Sequence, residues 1–195
     1  MNFGMGKNGI KILVVDDDEI VREVITSLLS GEGYTVRAAK DGLDAIRILK
    51  MEDIDLVITD LRMPGADGIE VLKEAIKMDP DRAVVILTAY GTLDTALKAI
   101  REGAYDYMTK PFKMEEMLIR INNAYERTLL ILKIKVLSKN LREIMANMML
   151  FKGGETNHSR VIMDWVDKIE QFKKLDILDK EEASLIRERL IGDWQ

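Results

Sequence analysis

Carboxylates, a threonine and a lysine stand at or just after the ends of short apolar runs in this chain. Asp16 and Asp17 close the first run, and Asp60 closes the third. Thr88 ends the fourth run, and Lys110 follows the fifth. Three carboxylates facing an ammonium group are what a magnesium-dependent phosphoryl-transfer pocket requires. The pattern predicts that Asp60 is a nucleophile that forms an acyl phosphate.

A cation is needed where three carboxylates meet, because uncompensated negative charges raise one another's pKa. Mg²⁺ prefers octahedral oxygen ligation, with one or two carboxylates and several waters. We expect Asp17 and Asp60 to bind the ion directly and Asp16 to bind it through water. A backbone carbonyl near Arg62 would complete the set of protein ligands.

The phosphoryl oxygens would each meet a partner in such a pocket. With magnesium on one oxygen, we expect Lys110 on a second and the Thr88 hydroxyl or a loop N–H on the third. Simpler roles exist for each residue alone: an Asp at a strand end is commonly a helix cap, as we expect of Asp18. A Lys before Pro is commonly a surface residue, and a Thr ending a strand commonly satisfies a backbone group. Their joint placement favours the phosphoryl-transfer pocket.

The apolar runs alternate with stretches of helical period. Five runs, interpreted as buried strands, are Ile12–Val15, Tyr34–Ala38, Leu56–Thr59, Ala83–Thr88 and Tyr105–Met108. Four intervening stretches predict helices: Ile20–Ser30, Gly42–Lys50, Gly68–Lys77 and Leu93–Arg101. This alternation predicts an α/β fold, a doubly wound five-stranded parallel sheet covered on both sides. Ligands in such sheets bind beyond the carboxyl ends of the strands, where the polar residues would converge.

Local signals mark the boundaries of the first two helices. Asp18 and Asp41 precede them at N-cap positions. Residues 31–33, Gly-Glu-Gly, end the first helix with a residue that tolerates a positive φ. One face of this helix carries the apolar residues Ile20, Val24 and Leu28.

Four stretches resemble the motifs of the receiver domain of two-component response regulators. They are ILVVDDD at 12–18, DLVITDLRMPGADG at 55–68, VILTA at 85–89 and YMTKPF at 107–112. The resemblance runs from about Lys11 to Tyr125, with the motifs in order. The stretches TAYGT at 88–92 and GAYDY at 103–107 are similar to receivers of the nitrogen-regulator subfamily.

The resemblance implies a flavodoxin-like fold and a place in a two-component phosphorelay. A sensor histidine kinase would supply the phosphoryl group from a phosphohistidine, and the receiver would catalyse its transfer to Asp60. The chain would then catalyse only its own phosphorylation and dephosphorylation, and it would not be an enzyme in the usual sense. By position, Asp16 and Asp17 would be the metal carboxylates for Mg²⁺, while Thr88 and Lys110 would contact the phosphate.

The resemblance also implies a conformational switch at Tyr107. Phosphorylation adds about −1.5 to −2 charge, which would draw the Thr88 hydroxyl toward the phosphate. Tyr107 would rotate inward into the vacated space and repack the surface of the fourth helix, fifth strand and fifth helix. The simpler role for Tyr107 is that of a half-buried strand aromatic.

Two further expectations concern the rim of the pocket. The bond between Lys110 and Pro111 is typically cis in the family. Arg62 and Tyr90, two residues beyond Asp60 and Thr88, are bulky and would shield the acyl phosphate from water. Small residues there are expected to speed hydrolysis of the phosphorylated form.

The composition excludes several classes of protein. The 195 residues include 34 acidic and 29 basic side chains and no Cys, which excludes disulfides and thiolate zinc sites. Since no basic block occurs, nucleic-acid binding is not expected. No apolar segment approaches the ~20 residues of a bilayer-spanning helix, and no signal-peptide pattern opens the chain. We therefore expect a cytoplasmic protein that does not contact membranes.

From Lys113 to Gly153 no proline or glycine interrupts the chain, which allows one long helix. One apolar register in it, expected to pack on the sheet, is Met117, Ile121, Ala124 and Thr128. A second register, in steps of four and three, is Leu130, Ile134, Leu137, Leu141, Ile144, Met148 and Phe151. This heptad seam favours a coiled-coil homodimer. A monomer whose seam folds back onto the C-terminal residues remains the alternative.

The residues after 152 predict a small all-α region, and residues 153–157 predict a flexible joint. A first helical face carries Ile162, Trp165, Ile169 and Phe172, and a second helix carries Ile186 and Leu190. Asp179 and Glu182 have capping-box spacing for that second helix. About forty residues scarcely sustain a core alone, so the hairpin is expected to dock on the long helix or a partner subunit.

Three parts are therefore predicted: a receiver domain (1–125), a helical coiled-coil linker (126–152) and a helical hairpin (153–195). His158, the single histidine, is interpreted as an ordinary residue at a helix start. The output is expected to act through an unknown downstream protein, because the chain lacks a Gly-rich phosphate loop with Lys and a basic reading helix.

Two other functions stay open from the sequence. A DNA-binding transcriptional regulator with a small helical output would share the whole receiver. An aspartyl-nucleophile phosphatase would share the pocket chemistry, but it commonly has a second carboxylate at the position that Arg62 occupies.

Overall fold

The computed structural model describes residues 9–89, 91–151, 158–174, 178 and 180–192. Its strands are β1 (Lys11–Val15), β2 (Thr35–Ala39), β3 (Leu56–Asp60), β4 (Ala83–Thr88) and β5 (Asp106–Thr109). Its helices are α1 (Glu19–Gly31), α2 (Gly42–Met51), α3 (Gly68–Met78), α4 (Leu93–Arg101), α5 (Met114–Phe151), α6 (His158–Lys174) and α7 (Lys180–Gly192). Two compact units result, and the boundary between them falls between Leu129 and Leu130.

The five strands form one parallel sheet in the order β2-β1-β3-β4-β5. The chain crosses from β1 outward to β2 and then returns past β1 to β3, so the sheet is doubly wound as predicted. The carboxyl ends of β1 and β3 are adjacent, with Val15 opposite Thr59. This register places the residues that follow β1 beside the last residue of β3.

The core of the first unit is built from the three central strands. In β1, β3 and β4 every residue is buried except Lys11, which is half-buried. Burying an aliphatic side chain stabilises the fold by about 1.5–3 kcal/mol relative to leaving it in water. The largest fully buried side chains of these strands are Ile12, Leu13, Leu56, Ile58, Ile86 and Leu87.

The prediction of five buried strands is wrong for β2 and β5. Thr35, Arg37 and Ala38 of β2 are exposed, and β5 buries only Met108 fully. Both strands lie at the edges of the sheet, where a strand has a neighbour on one side only. The prediction failed because the order of strands decides which of them become edges.

The cap predictions for α1 are confirmed, whereas its apolar face lies in an unexpected place. The Asp18 carboxylate accepts from the N–H groups of Ile20 and Val21, and Gly33 has a φ of 88°. Ile20 and Val24 are 73% and 43% exposed. The buried residues of the helix are Ile25 and Leu29. The helix therefore presents apolar side chains to solvent beside the end of β1.

Helix α5 packs on the sheet of the first unit through the first apolar register, as predicted. All four residues of that register are buried: Met117, Ile121, Ala124 and Thr128. Polar contacts accompany this packing. The Tyr34 hydroxyl donates to Asn122 Oδ1 at 2.7 Å, and the Tyr34 and Tyr125 rings meet edge to face at 5.8 Å. Arg127 donates to the Asp81 carbonyl at 2.9 Å and lies over the Tyr105 ring.

The later part of α5 carries the predicted heptad seam. Leu130, Ile134 and Leu137 are 59%, 52% and 42% exposed. The side chains of the remaining seam residues, Leu141, Ile144, Met148 and Phe151, lie outside the described part. At its first three positions, then, the described part of the chain leaves about half of each seam side chain exposed.

The second unit also contains α6 and α7, which contact each other. Ile169 of α6 and Ala183 of α7 are buried. Lys168 is buried as well and lies 3.0 Å from the Glu143 carboxylate of α5. The predicted joint at 153–157 and the capping residue Asp179 lie outside the described residues, as do the side chains of Ile162, Trp165 and Leu190.

Helices in the described part do not combine the length and the apolar character needed to cross a membrane.

The Tyr34 hydroxyl offers a test of how α5 is held on the sheet. Tyr34→Phe is expected to lower the free energy of unfolding by about 1 kcal/mol at neutral pH, because one buried hydrogen bond is lost. Burial, with Tyr125 and the acidic residues nearby, raises the pKa of the Tyr34 hydroxyl above its ordinary 10.0. Above pH 10 the unfolded chain ionises first, so the parent loses stability and its advantage over Tyr34→Phe narrows.

Denaturant unfolding of the full chain from pH 7 to pH 11 measures both effects. Tyr105→Phe, which keeps the ring beneath Arg127, is the matched control and is expected to show neither. An unchanged gap between parent and Tyr34→Phe across this pH range would contradict the assignment.

Candidate functional site

The carboxyl edge of the sheet gathers the predicted residues into one pocket. Asp16 comes directly after β1, and Asp60 is the last residue of β3. Thr88 is the last residue of β4, and Lys110 comes directly after β5. Thr88 lies opposite Thr109, so Lys110 begins level with the end of β4, where its N–H donates to the Thr88 carbonyl at 2.7 Å.

The Lys110 ammonium group joins two carboxylates from different strands. Its Nζ lies 2.6 Å from Asp16 Oδ2 and 2.7 Å from Asp60 Oδ1. These are the lengths of strong, charge-assisted hydrogen bonds. The bond between Lys110 and Pro111 is cis, as expected.

The other carboxylate oxygens accept from backbone N–H groups. Asp60 Oδ2 accepts from the N–H of Arg62 at 2.7 Å, and Asp16 Oδ1 accepts from the N–H of Asp18 at 3.1 Å. Asp16 and Asp60 are only 1% and 6% exposed, whereas Asp17 is exposed. Asp60 therefore has both carboxylate oxygens held in place at the carboxyl end of β3.

Burial and charge pull in opposite directions on the ionisable groups here. Burial raises the pKa of the Asp16 carboxyl, and the hydrogen bond and charge of Lys110 only partly offset this. Burial by itself lowers the pKa of Lys110, but the hydrogen bonds and charges of Asp16 and Asp60 outweigh it and raise that pKa. Lys110 is therefore positively charged at physiological pH, and Asp16 and Asp60 stabilise that charge.

The donor chemistry of the pocket fits a hard divalent cation. Asp16, Asp17, Asp60 and the carbonyl of Arg62 supply oxygen donors only, which is the preference of Mg²⁺. Among the described residues, however, no group of three or more acidic, His or Cys side chains is arranged as a metal cage. Lys110 engages one oxygen of Asp16 and one of Asp60, and Asp17 is exposed.

The two predicted switch residues lie on adjacent strands. Thr88 is fully buried at the end of β4. Tyr107 of β5 is half-buried against the core, and its hydroxyl lies 2.8 Å from Thr95 Oγ1 of α4. The simpler role considered for Tyr107, a half-buried strand aromatic, describes its burial but not this hydrogen bond.

The two residues expected to shield the acyl phosphate have different outcomes. Arg62 is exposed on the loop after β3, and its backbone N–H donates to Asp60 Oδ2. Tyr90 lies outside the described residues. Their effect on the lifetime of a phosphorylated form stays a prediction.

Two contributors to the site were not singled out from the sequence. Gly68, the first residue of α3, lies so close to β3 that an added Cβ would overlap the Asp60 carbonyl oxygen and approach Leu61 Cα to 2.9 Å. Its N–H donates to the Leu61 carbonyl at 3.0 Å. Thr95 is the other, because its Oγ1 is hydrogen-bonded to the Tyr107 hydroxyl. The glycine at 68 was a visible signal, whereas Thr95 carried none.

With this geometry established, comparison with known proteins is decisive. Residues 12–122 match the family described as response regulator receiver domain. The chain belongs to that family. The match covers Asp16, Asp60, Thr88 and Lys110. The five-stranded parallel sheet of this chain confirms the flavodoxin-like fold expected from the resemblance.

Relatives and solved structures of this receiver agree. The transcriptional regulatory protein ZraR of Klebsiella oxytoca is 40% identical over 124 residues, 64% of this chain and 28% of its own. A putative NtrX-like response regulator of Rickettsia bellii is 36% identical over 67% of this chain and 29% of its own. A crystal structure of a receiver domain from Clostridium thermocellum covers 63% of this chain and 98% of its own, with 40% identity and a TM-score of 0.59.

The nitrogen-regulator likeness is also shown. The beryllofluoride-activated NtrC4 receiver domain dimer is 35% identical, covers 60% of this chain and 98% of its own, and has a TM-score of 0.58. The chain spans about a quarter to a half of the length of the curated relatives it matches. The similarity therefore concerns the receiver.

The contact of Gly68 with β3 is testable at Asp60. Gly68→Ala is expected to lower the free energy of unfolding by about 1–3 kcal/mol, because backbone atoms of Asp60 and Leu61 must shift. Phosphate incorporation at Asp60 should fall in the same variant. Denaturant unfolding and mass measurement after treatment with a small phosphodonor check the two effects.

Gly31→Ala is the matched control, since no atom lies within 4 Å of the added Cβ at the end of α1. There the alanine should be neutral or slightly stabilising. Equal stability of the Gly68 and Gly31 variants would show that the close approach has no energetic weight.

Proposed function

We propose that this chain is a two-component response regulator that accepts a phosphoryl group on Asp60 from the phosphohistidine of a sensor kinase. The observation that carries the proposal is the arrangement of Lys110 between Asp60 and Asp16, at 2.7 Å and 2.6 Å. A carboxylate oriented by a lysine and a backbone N–H, at the floor of an acidic pocket, is prepared for in-line attack on phosphorus.

The transfer requires one bond to form and one to break. An Asp60 oxygen attacks phosphorus, the bond from phosphorus to the imidazole nitrogen breaks, and its electron pair remains on the histidine. Lys110 stays with the transferred group and balances its charge, while the Thr88 hydroxyl becomes a donor to a phosphoryl oxygen. A bound Mg²⁺, held by Asp16, Asp17, Asp60 and the Arg62 carbonyl, would neutralise charge that develops on the phosphoryl oxygens.

The kinase needs a docking surface beside the pocket, and α1 supplies one. Its N-terminus follows the acidic residues directly, since Asp18 caps the helix. Ile20 and Val24, exposed near that end, offer apolar area that a helical partner would bury. A partner seated there would bring its histidine to the carboxyl edge of the sheet. Such a relay fits the predicted cytoplasmic location.

Labelling at Asp60 is the direct test. In the presence of a small-molecule phosphodonor and magnesium, the parent should gain the mass of one phosphoryl group, and Asp60→Asn should gain none. Chelation of magnesium should abolish labelling of the parent. Intact-mass measurement provides the readout.

Asp18→Asn is the matched control, because asparagine also caps helices and this residue lies outside the proposed ligand set. It should be labelled like the parent. Labelling of Asp60→Asn, or labelling that is indifferent to chelation, would reject the mechanism. A steady release of phosphate from added substrates would instead indicate the phosphatase alternative.

We further propose that the chain forms a homodimer through the seam on α5. Leu130, Ile134 and Leu137 expose large aliphatic side chains at steps of four and three, which is the spacing of a coiled-coil contact. The beryllofluoride-activated NtrC4 receiver domain, a relative, is a dimer. This proposal prefers a second copy over the monomer whose seam folds back.

Sedimentation or light scattering of the full chain tests the seam. The parent should have twice the 22.2 kDa chain mass, and Ile134→Asp should return it to one chain mass. Lys139→Asp, an exposed change of α5 outside the seam, is the control and should remain dimeric. A monomeric parent, or dimers of both variants, would overturn the proposal.

A second candidate output is regulation of transcription through DNA. Relatives such as ZraR and GlrR are transcriptional regulatory proteins by name, which favours this output more than the composition did. The predicted contact with a downstream protein remains our preferred output for this chain. Sequence-specific duplex binding that weakens steeply with salt would decide for the alternative.

A further inference from the structure

The Tyr107 hydroxyl is bonded to a helix cap. Its partner, Thr95 Oγ1 at 2.8 Å, belongs to the capping box that opens α4. In that box the Thr95 N–H donates to Thr92 Oγ1 at 3.2 Å, and the Thr92 N–H donates to Thr95 Oγ1 at 3.0 Å. The aromatic residue expected to switch therefore touches the group that starts the neighbouring helix.

The contact with Tyr107 is one of several that Thr95 Oγ1 makes. A threonine hydroxyl has one proton to donate and two lone pairs to accept with. Thr95 Oγ1 lies 3.0 Å from the Thr92 carbonyl, to which it can donate, and it accepts from the Thr92 N–H. The Tyr107 hydroxyl at 2.8 Å and the Thr92 hydroxyl at 3.1 Å are also within hydrogen-bond distance, and in each of these pairs either oxygen can donate. Whichever oxygen donates, the Tyr107 hydroxyl is bonded to the cap of α4.

The capping box matters because α4 has little else to hold it. Of its nine residues only Ala99 is buried, while Leu93, Leu97 and Ile100 are exposed. Helices this short depend on packing and caps rather than on propensity. A threonine in a helix also divides between two side-chain rotamers, one of which bonds a preceding carbonyl. Thr95 has that rotamer, since its Oγ1 lies 3.0 Å from the Thr92 carbonyl.

The loop before α4 connects this cap to the phosphoryl pocket. Thr88 ends β4, and only the loop residues separate it from the Thr92 cap. A Cβ at Gly91 would overlap Thr109 Cγ2 and lie 3.7 Å from the Tyr107 hydroxyl, so Gly91 lies close to β5. Movement of Tyr107 toward Thr88 would break its contact with Thr95.

We propose that Thr95 is a positioning residue: it holds Tyr107 in the resting state, and withdrawal of the Tyr107 hydroxyl upon phosphorylation loosens the first turn of α4. The inference rests on the proposed phosphorylation of Asp60 for its trigger. The resting contact itself requires no phosphorylation, so the two can be tested apart.

Amide exchange measured by NMR on the full chain reports on the cap. In the resting protein, Tyr107→Phe should speed exchange of the Thr92 and Thr95 amides about fivefold, the effect of losing one ordinary hydrogen bond. In a Thr95→Val background the same change should add nothing, because the hydrogen-bond partner of Tyr107 is already absent. Thr95→Ser, which keeps the hydroxyl, should behave like the parent.

The capping box of α3 is an internal control, because Asp67 and Glu70 cap each other without a tyrosine. Exchange of their amides should not change in any of these variants. The phosphorylated parent, verified by its mass, should exchange at α4 as Tyr107→Phe does.

The results separate the two ideas. If Tyr107→Phe leaves α4 unchanged, adds its full effect to Thr95→Val, or alters α3 equally, the positioning role is wrong. A phosphorylated parent that keeps resting exchange at α4 overturns the coupling to phosphorylation. Absence of any mass gain counts against the proposed function, while the resting variants still decide the role of Thr95.

Discussion

The ammonium group of Lys110 is the interaction on which the site depends. Two carboxylates that are almost completely buried, Asp16 and Asp60, would repel each other across a pocket of low dielectric. One cation within hydrogen-bond distance of both makes their burial tolerable, and backbone N–H groups satisfy the oxygens it leaves. A buried charge set of this kind is costly to break, since removal of one member leaves another uncompensated. The parallel sheet is what allows it, because the ends of β1, β3 and β5 all reach the same edge.

Sequence reasoning located this pocket for a physical reason. In a parallel sheet the residue at the end of a buried run lies at the carboxyl edge whatever the strand order, so Asp16, Asp60 and Thr88 needed only the run boundaries. The strand boundaries agree with the observed ones to within one residue. Burial of β2 and β5 was not predictable in the same way, because alternation of strands and helices does not reveal which strands become edges. The burial of the apolar face of α1 was not predictable for a related reason, since an apolar stripe does not indicate whether the surface that covers it lies in the same chain.

Contacts between residues that are distant in the chain could not be predicted from the sequence. A glycine at 68 announces a possible close approach, but the overlap with the Asp60 carbonyl follows from how α3 meets β3. Thr95 is an ordinary helix residue until β5 places the Tyr107 hydroxyl beside it. In α5 the sheet-facing register was predictable because its covering partner is present in the same unit, where Met117, Ile121 and Ala124 are fully buried. The second register is exposed at Leu130, Ile134 and Leu137, and its assignment depends on a partner that a single chain does not contain.

The packing of Gly68 against Asp60 makes the two sides of the pocket mechanically unequal. On one side, the backbone of β3 and the first turn of α3 are in direct contact, without an intervening side chain that could change rotamer. On the other side, α4 buries one residue, an alanine, and its first turn makes hydrogen bonds through hydroxyl groups. A new charge at Asp60 would therefore lie between a close backbone contact at α3 and a less buried helix, α4. In the proposed phosphorylated form, displacement at Asp60 would therefore be directed toward α4 rather than toward α3.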